Sequence, residues 1–391
     1  MLEILAGLCI GAVIYSYALY PFVLAFIATG IQLIRDAKFV LRKQERRAPV
    51  EAELPSVAVV ISAFNEERHI QQRVDNLLAL DYPAHLIRFY IGSDGSQDGT
   101  GAILNAFSNP QVVALVFEQN RGKASVLNDL VGRTSEPIIA FSDANTFFDP
   151  SAMRRLVAHF VDPQVGAVSG ELRLVGSGGD NQDSLYWRIE QFLKFFESRI
   201  DGLLGANGAI YAIRRSLWKP LAADTICDDF CVAMNVAASR RRLVYEPAAW
   251  AHEETPKDIS DEYQRRVRIG IGNFQALLRH PEYLWRTSPG TSFAYFSHKV
   301  LRWTAPHLLT LGLAASLVLA MHSTGWLLFS FAQALMYTSA ALLYGLSKRN
   351  VALPSLLRMA AFLFALNWAF LVASKRYMTG KYSGSWRRTS R

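Results

Sequence analysis

Asp143 and Asn145 follow directly after a short apolar run, residues 138–141, in the stretch PIIAFSDANTFFDP. Carboxylate and amide oxygens are ligands that a divalent cation such as Mg²⁺ or Mn²⁺ accepts. The same pair can also contact the hydroxyl groups of a sugar, and Asp and Asn are common in ordinary turns. The pair is therefore a candidate metal or sugar site, and an ordinary turn is the alternative. The residues elsewhere in the chain distinguish the two interpretations.

A second pair of acids, Asp228 and Asp229, precedes an apolar segment typical of a helix, in TICDDFCVAMNVA. Two neighbouring carboxylates can raise the pKa of one of them, which suits a general base. The alternative is structural, because the helix dipole stabilises acids in the first turn of a helix. Upstream, the stretch GANGAIYAIRR carries small residues, among them Gly208, that let a backbone approach a ligand closely.

Four further residues could bind phosphate or a nucleotide. Lys123, after Gly122 in NRGK, can place an ammonium group on a phosphate, although a solvated loop lysine is the simpler interpretation. Asp94, in SDGSQDGT, can accept a hydrogen bond from a base or a ribose, or can cap a helix. Arg265 and Arg268 belong to an amphipathic basic segment that either holds a leaving diphosphate or lies on a membrane surface.

The sequence argues against several classes of protein function. The sequence has neither a Walker-type loop nor a Gly-rich dinucleotide fingerprint, which argues against ATP hydrolysis and hydride transfer. Of three cysteines, Cys227 and Cys231 lie four residues apart and lack the spacing of a zinc site. The net charge of +8 is concentrated beside apolar segments. This distribution favours contact with anionic lipids and not with nucleic acid.

Short apolar runs alternate with amphipathic segments between residues 55 and 285, starting with VAVVIS and IRFYIGSDGS. Such alternation predicts a parallel sheet with helices on both faces. Ligands of these sheets bind beyond the carboxyl ends of the strands. Four of the runs end in polar residues: Asn65-Glu66, Ser93-Asp94, Asn120-Arg121 and Asp143-Asn145. The sequence therefore predicts one site along one edge of one sheet.

Hydrophobic residues make up 51% of the chain and are concentrated at its two ends. Residues 4–34 carry no charge and exceed the roughly 20 residues needed to cross a bilayer. Three further apolar stretches lie at about 304–321, 325–346 and 354–374. The basic stretch after the first span predicts that this side, and the central domain, are cytosolic. Three C-terminal spans would then place the basic tail on the side opposite the cytosol. Either one apolar stretch does not cross the membrane, or the preference of basic residues for the cytosolic side does not hold here.

The predicted organisation has five parts. They are an N-terminal transmembrane anchor at 1–34, a basic linker at 35–54, a cytosolic domain at 55–285 with an interfacial helix near its end, a membrane bundle at 286–374 and a basic tail at 375–391.

Six motifs, in this order, resemble those of the membrane-bound glycosyltransferases of family 2, a group that includes cellulose, hyaluronan and poly-N-acetylglucosamine synthases. The motifs are ISAFNEE, SDGSQDGT, NRGKASVLN, FSDANT, CDDF and RRVRI. Their order and spacing carry the resemblance over about residues 55–285 and the flanking membrane layout. The resemblance implies an α/β, GT-A-like nucleotide-sugar-binding domain with a mainly parallel sheet, between N- and C-terminal transmembrane helices.

The resemblance also implies roles for individual residues. Asp229 would be the general base that takes the proton of the acceptor hydroxyl, and Asp228, Gly208 and Arg265 would support it or contact the acceptor. The nucleotide sugar would be bound by Phe64, Asn65, Glu66, Asp94, Lys123, Asp143, Asn145 and Arg268. Asp143 and Asn145 would also hold a divalent metal, Mg or Mn, with His252 as a further candidate ligand.

Three positions depart from the family pattern. Asn145 stands where a second Asp is usual, which is expected to weaken metal binding or change the choice of metal. Arg265 replaces a Gln and Ile269 replaces a Trp in the last motif. Because that Trp is thought to stack on the acceptor sugar, its absence argues against long-chain extension.

The implied reaction is transfer with inversion, by single displacement, from a nucleotide sugar to a polysaccharide or lipid-linked acceptor in exopolysaccharide or envelope glycan synthesis. UDP is the commonest nucleotide in the family. The implied partners are this donor, a glycan or lipid-linked acceptor and membrane lipids, in the bacterial inner membrane with the catalytic domain in the cytosol. Two alternatives stay open: single addition to a lipid-linked acceptor, and a catalytically inactive membrane scaffold on the same fold.

Overall fold

The computed structural model describes residues 1–42, 53–175, 185–254, 259–349, 351 and 353–382. Its strands are β1 Val57–Ala63, β2 Ile87–Asp94, β3 Val112–Phe117, β4 Ile138–Asp143, β5 Phe147–Phe148, β6 Val165–Val175, β7 Tyr211–Arg214 and β8 Arg242–Glu254. In the described part of the chain they form one sheet of eight strands, in the order β3-β2-β1-β4-β7-β6-β8-β5.

The first four strands form the parallel half of the sheet. β1 pairs in parallel with β2 and β4, and β2 pairs in parallel with β3. Every residue of β1 is buried, which explains why its sequence is continuously apolar and does not alternate. The other half is mixed, since β7 is antiparallel to β4 and β6 while β6 and β8 are parallel. The predicted α/β fold with a mainly parallel sheet is confirmed.

The helices comprise those that cover the two faces of this sheet and the long apolar ones toward both ends of the chain. In chain order they are α1 Leu2–Ile14, α2 Tyr20–Arg42, α3 Ile70–Leu78, α4 Thr100–Ala106, α5 Lys123–Gly132, α6 Ala152–Ala158, α7 Leu185–Arg199, α8 Asp228–Ala238, α9 Ile259–Arg279, α10 Pro289–Ala294, α11 Leu301–Ala320, α12 Thr324–Lys348 and α13 Ser355–Met378. One apolar core lies between the sheet and α5, α8 and α9. A second core lies on the opposite face, beneath α3 and α6.

Four helical segments in the described residues are long and apolar enough to cross a membrane: Leu2–Lys38, Pro289–Ala320, Thr324–Lys348 and Ser355–Met378. The second segment begins at Pro289, well before residue 304, because α10 continues through a π-helical turn at Tyr295–Val300 into α11. The predicted linker and tail lie partly outside the described residues, at 43–52 and 383–391.

A buried network of charged side chains joins α7 to the membrane-spanning segments. Nδ1 of His298 lies 2.6 Å from Oε1 of Glu197, and its Nε2 lies 3.3 Å from Oε2 of Glu190. Arg302 donates to Glu190 over 2.6 Å, and the hydroxyl of Tyr20 donates to Glu197 over 3.0 Å. Glu197 is 1% exposed and His298 is 2% exposed. Buried polar groups of this kind depend on their hydrogen-bond partners for stability.

The carboxyl end of α7 leads straight into the segment at residues 200–208. The carbonyl of Asp201 accepts hydrogen bonds from the hydroxyls of Ser288 and Thr291, at the start of α10. The amide of Gly202 donates to the carbonyl of Glu197 over 2.7 Å. The membrane helices therefore fix the position of a segment that borders the carboxyl edge of the sheet.

Replacing His298 by Ala should destabilise the protein, because the buried side chains of Glu197 and Glu190 would each lose a hydrogen-bond partner. We expect a loss of roughly 1–3 kcal/mol in the free energy of unfolding, the usual cost of leaving a buried polar group without its partner. Thermal unfolding of the protein in nanodiscs measures the loss. The control is His322→Ala, since His322 is exposed. Equal melting temperatures for the two variants would show that the network does not hold α7.

Candidate active site

The polar ends of the parallel strands meet along one edge of the sheet. Ser62 in β1 is in register with Asp143 in β4, and Asp94 ends β2 beside β3. Because these strands are parallel neighbours, the segments that follow them lie on the same side and carry Phe64, Asn145 and Lys123. The predicted convergence of these residue types is thus present in the fold.

Lys123 joins the two pairs of acids. Its Nζ lies 2.8 Å from Oδ1 of Asp143 and 3.3 Å from Oδ2 of Asp228. Burial alone would lower the pKa of Lys123, but the carboxylates of Asp143 and Asp228 outweigh burial and raise it. The ammonium group therefore stays charged and links the carboxyl end of β4 to the first turn of α8.

Asp229 is held by two backbone amides. Gly208 donates to its Oδ2 over 3.1 Å, and Phe230 donates to its Oδ1 over 2.7 Å. A Cβ atom at position 208 would lie 2.9 Å from Oδ2, so only glycine permits this approach. Burial first, and then the Asp228 carboxylate, raise the pKa of Asp229 to about 6, while Lys123 acts in the opposite direction. A carboxylate with this pKa is suited to accept a proton near neutral pH.

Asp94 fastens the loop that carries Lys123. Its Oδ1 accepts from the amide of Arg121 over 2.8 Å, and its Oδ2 accepts from the amide of Gly122 over 2.9 Å. Gly122 has a φ of 87°, a conformation that favours glycine. Both carboxylate oxygens of Asp94 thus make backbone contacts, and its contact with a base or ribose stays a prediction.

The turn after β1 supports the neighbouring loop. Asn65 has a φ of 55°, and its Oδ1 accepts from the amide of Gln97 over 2.8 Å. The amide of Glu66 donates to the hydroxyl of Thr100 over 2.8 Å, and Glu66 is buried. Phe64, between β1 and this turn, is half-buried. Asn65 and Glu66 therefore hold the loop after Asp94 against the turn after β1.

Glu253 is a site residue that the sequence analysis missed. Nδ2 of Asn145 donates to Oε1 of Glu253 over 3.0 Å, and Glu253 is buried. His252, its neighbour on β8, stacks on Phe147 with ring centroids 5.5 Å apart. Since successive side chains of a strand point to opposite faces, Glu253 and not His252 is the β8 side chain at Asn145. Glu253 lies on the same buried face of β8 as Ala249 and Ala251. An acid at an alternating position otherwise occupied by alanine could have indicated this residue from sequence.

The donor atoms of Asp143 and Asn145 fit a divalent cation, because both side chains offer hard oxygen ligands. In the ranges that the structure describes, no group of three or more His, Cys, Asp or Glu residues could hold a metal ion. A cation here would therefore share its coordination between these residues and oxygen atoms of a ligand. Such sharing is usual for Mg²⁺ at phosphate groups.

The two arginines of α9 differ in position. Arg265 is exposed and Arg268 is half-buried, one helical turn further on. Gly272 of α9 packs so tightly on the thiol of Cys227 that a Cβ atom there would overlap it. Burial and then the Asp229 carboxylate raise the pKa of Cys227, and Arg268 acts against this increase. Arg268 is therefore within electrostatic reach of the start of α8.

Arg73 is a second residue that the sequence analysis missed. It is completely buried, and its Nη2 donates to the hydroxyl of Ser142 over 2.9 Å. Its guanidinium lies 4.4 Å from the ring centroid of Phe148. Burial lowers the pKa of Arg73 to about 9, and Asp143 opposes this effect, so the group stays charged at neutral pH. In the sequence, Arg73 is a charged residue on the otherwise apolar face of α3, between Ile70 and Leu77, and this could have indicated a buried charge.

Comparisons with known proteins show related sequences and a related fold. Residues 58–219 match the family model described as glycosyl transferase family 2. The poly-beta-1,6-N-acetyl-D-glucosamine synthase of Staphylococcus epidermidis is 27% identical over 235 residues, and that of Staphylococcus aureus strain COL is 28% identical over 242 residues. Each match covers 58% of this chain and 57% of the relative. The chain thus matches little more than half the length of these relatives.

A solved structure shares the fold over nearly the whole chain. It is the mannosyltransferase PcManGT from Pyrobaculum calidifontis, in complex with GDP-Man and Mn²⁺. The TM-score is 0.73 at 21% identity, with 98% of this chain and 100% of that chain covered. Residues 58–219 therefore match a family 2 glycosyltransferase domain within a GT-A fold, and long apolar helices lie before and after this domain.

Proposed function

We propose that the protein transfers a sugar from a nucleotide sugar, with inversion, to a glycan or lipid-linked acceptor in exopolysaccharide synthesis. UDP is the proposed nucleotide. The proposed location is the bacterial inner membrane, with the catalytic domain on the cytosolic side, next to anionic lipids. The similarity to poly-N-acetylglucosamine synthases and the four membrane-spanning candidates support this proposal.

The observation that best supports the proposal is the position of the Lys123 ammonium group, which lies between two pairs of polar side chains. On one side of Lys123, Asp143 and Asn145 offer oxygen ligands for a cation on a diphosphate. On the other side, Asp228 and Asp229 start α8, and the pKa of Asp229 is raised to about 6 by burial and by Asp228. The proposed leaving-group site and the proposed proton acceptor thus both adjoin the Lys123 ammonium group.

In the proposed mechanism the acceptor hydroxyl approaches Asp229, which removes its proton as the new glycosidic bond forms. Gly208 and Phe230 orient the carboxylate through their amides. Lys123 and Arg268 neutralise the departing diphosphate. A divalent cation, when bound by Asp143 and Asn145, supplies further positive charge for the same leaving group. Asp94 keeps the Lys123 loop in place, and Phe64, Asn65 and Glu66 contact the nucleotide.

Single addition is a second candidate, and one observation favours it. Ile269 occupies the motif position where a Trp is usual in the synthases, and it is 37% exposed. An aliphatic side chain offers no aromatic face on which an acceptor sugar can stack. The acceptor of a single-addition enzyme would be lipid-linked, in keeping with the membrane helices that flank the site.

The proposal is tested by donor turnover. The protein in nanodiscs is supplied with a panel of UDP- and GDP-sugars, with Mg²⁺ or Mn²⁺, and with membrane lipid extract as acceptor. Release of nucleoside diphosphate from one donor, with sugar incorporated into product, supports transfer, and product length separates extension from single addition. Absence of both turnover and nucleotide binding for every donor would favour the inactive scaffold.

Asp229→Asn should lower kcat by a factor of roughly 10² to 10⁴, the usual contribution of a general base. Donor binding should persist, because the proposed donor contacts at Lys123, Asp143 and Asn145 are unchanged, although the amide oxygen can accept from only one of the Gly208 and Phe230 amides. Turnover and nucleotide affinity are measured on the same preparation. If both are lost together, Asp229 has a structural role and not a catalytic one.

Activity should fall as pH decreases through about 6, because Asp229 must be ionised to accept a proton. Asp228→Asn removes a charge that raises the pKa of Asp229, so the midpoint of the acid limb of kcat/KM should move to lower pH. The control is Asp224→Asn, since Asp224 pairs with Arg279. A midpoint that stays in place, or moves to higher pH, would contradict this coupling.

Asn145→Asp should bind Mn²⁺ more tightly, by about tenfold or more, because a second carboxylate joins the site. Without metal the same variant should be less stable than the wild type, since the new charge would lie about 3.0 Å from the Glu253 carboxylate. Calorimetric titration with Mn²⁺ and thermal unfolding with and without Mn²⁺ measure the two effects. Unchanged or weaker Mn²⁺ binding would place Asn145 away from the cation.

A further inference from the structure

The hydroxyl of Tyr211 is buried in the middle of the sheet. Tyr211 begins β7 and is 1% exposed. In the part of the chain that the structure describes, its hydroxyl has no hydrogen-bond partner. A buried polar group without a partner costs stability, so such a group in a native fold calls for an explanation.

The ring of Tyr211 lies beneath the two helices that start the site. It stacks on Phe141, two residues before Asp143, with ring centroids 4.8 Å apart. Tyr211 belongs to the core on the face of the sheet covered by α5 and α8, whose first residues are Lys123 and Asp228. Burial raises the pKa of Tyr211, and the Asp228 carboxylate is the next largest cause, ahead of Asp229 and Asp143. Asp228 begins the helix that covers this face of the sheet, and it is 8% exposed.

Packing does not explain why this residue is a tyrosine. A phenylalanine would keep the stack on Phe141 and the place in the core, and would remove the buried hydroxyl that lacks a partner. A hydrogen bond made only in a ligand-bound state would account for the hydroxyl.

Binding of the donor supplies such a state. Lys123 is held by Asp143 and Asp228. A diphosphate with its cation competes with the ion pairs of Lys123. The cation attracts the Asp143 carboxylate, and the phosphate oxygens attract the ammonium group. Once Lys123 moves, Asp228, which is 8% exposed, would remain buried without its cation. A buried carboxylate in that situation needs another donor.

We propose that Tyr211 is a positioning residue whose hydroxyl donates a hydrogen bond to Asp228 when the donor diphosphate draws Lys123 away. The inference rests on the proposed glycosyl transfer and on the proposed diphosphate contact of Lys123. The hydrogen bond stabilises the donor-bound form alone, and it keeps Asp228 beside Asp229 while the acceptor reacts.

Tyr211→Phe tests the inference through binding and does not require turnover. The affinity of the variant for nucleoside diphosphate with Mn²⁺, measured by calorimetry in nanodiscs, should be roughly 10- to 100-fold weaker, as expected for loss of a hydrogen bond to a charged group. The melting temperature of the ligand-free variant should be unchanged or higher, because the buried hydroxyl has no partner to lose. Both UDP and GDP are tested.

Tyr295→Phe is the matched control. Tyr295 is also a buried tyrosine whose hydroxyl lacks a partner among the described residues, but it packs with Phe230 and Trp303 at the membrane helices. Its replacement should leave diphosphate affinity unchanged. An equal loss of affinity in both variants would mean that removing any buried hydroxyl weakens binding, and would overturn the inference.

The route through Asp228 is tested by combining variants. In an Asp228→Asn background the charge that needs the hydroxyl is gone, so Tyr211→Phe should weaken diphosphate binding by less than about threefold. Persistence of the full loss would show that Tyr211 acts through another group. A lower melting temperature of ligand-free Tyr211→Phe would indicate a structural role and would also overturn the inference.

The inference and the proposed function fail in different ways. If the wild type binds a diphosphate and Tyr211→Phe binds it equally well, the inference alone is wrong. If the wild type binds neither UDP nor GDP, the proposed function is overturned and the inference with it.

Discussion

The ammonium group of Lys123, held between Asp143 and Asp228, is the interaction on which the site depends. It brings the carboxyl end of β4 to the first turn of α8, two elements that lie far apart along the chain. Because the group is largely buried, its two carboxylates are needed to keep it charged. The same arrangement leaves Asp229 with a pKa raised by burial and by Asp228, so one ion cluster sets the electrostatics of both sides of the site.

The surrounding structure holds this cluster from several directions. Asp94 fixes the loop before Lys123 through two backbone amides, and Arg73 supports the strand end before Asp143 from below. From the membrane side, α7 is fastened by the network around His298, and it leads to the segment whose Gly208 amide holds Asp229. The membrane helices thus contribute to the geometry of a site that lies in the globular domain.

Local patterns predicted the parallel half of the fold well. Apolar runs with polar ends reflect strands that are largely buried, as β1, β2 and β4 are, or half-buried at the edge of the sheet, as β3 is. These strands and their polar ends could therefore be expected from sequence. Contacts between distant segments could not. Glu253 meets Asn145 from 108 residues away, through the pairing of β8 with β5 and β6. Arg302 and His298 interrupt an apolar pattern, and their carboxylate partners on α7 lie more than 100 residues earlier.

The most direct test of the central claim is an experimental structure of the protein in nanodiscs with a bound donor analogue and Mn²⁺. We expect the nucleotide at the carboxyl edge of β1 to β4, with Nζ of Lys123 on the diphosphate and no longer on Asp228. We expect Asp229 to face the anomeric carbon from the side opposite the leaving group. A nucleotide bound elsewhere, with Lys123 still bridging Asp143 and Asp228, would contradict the account.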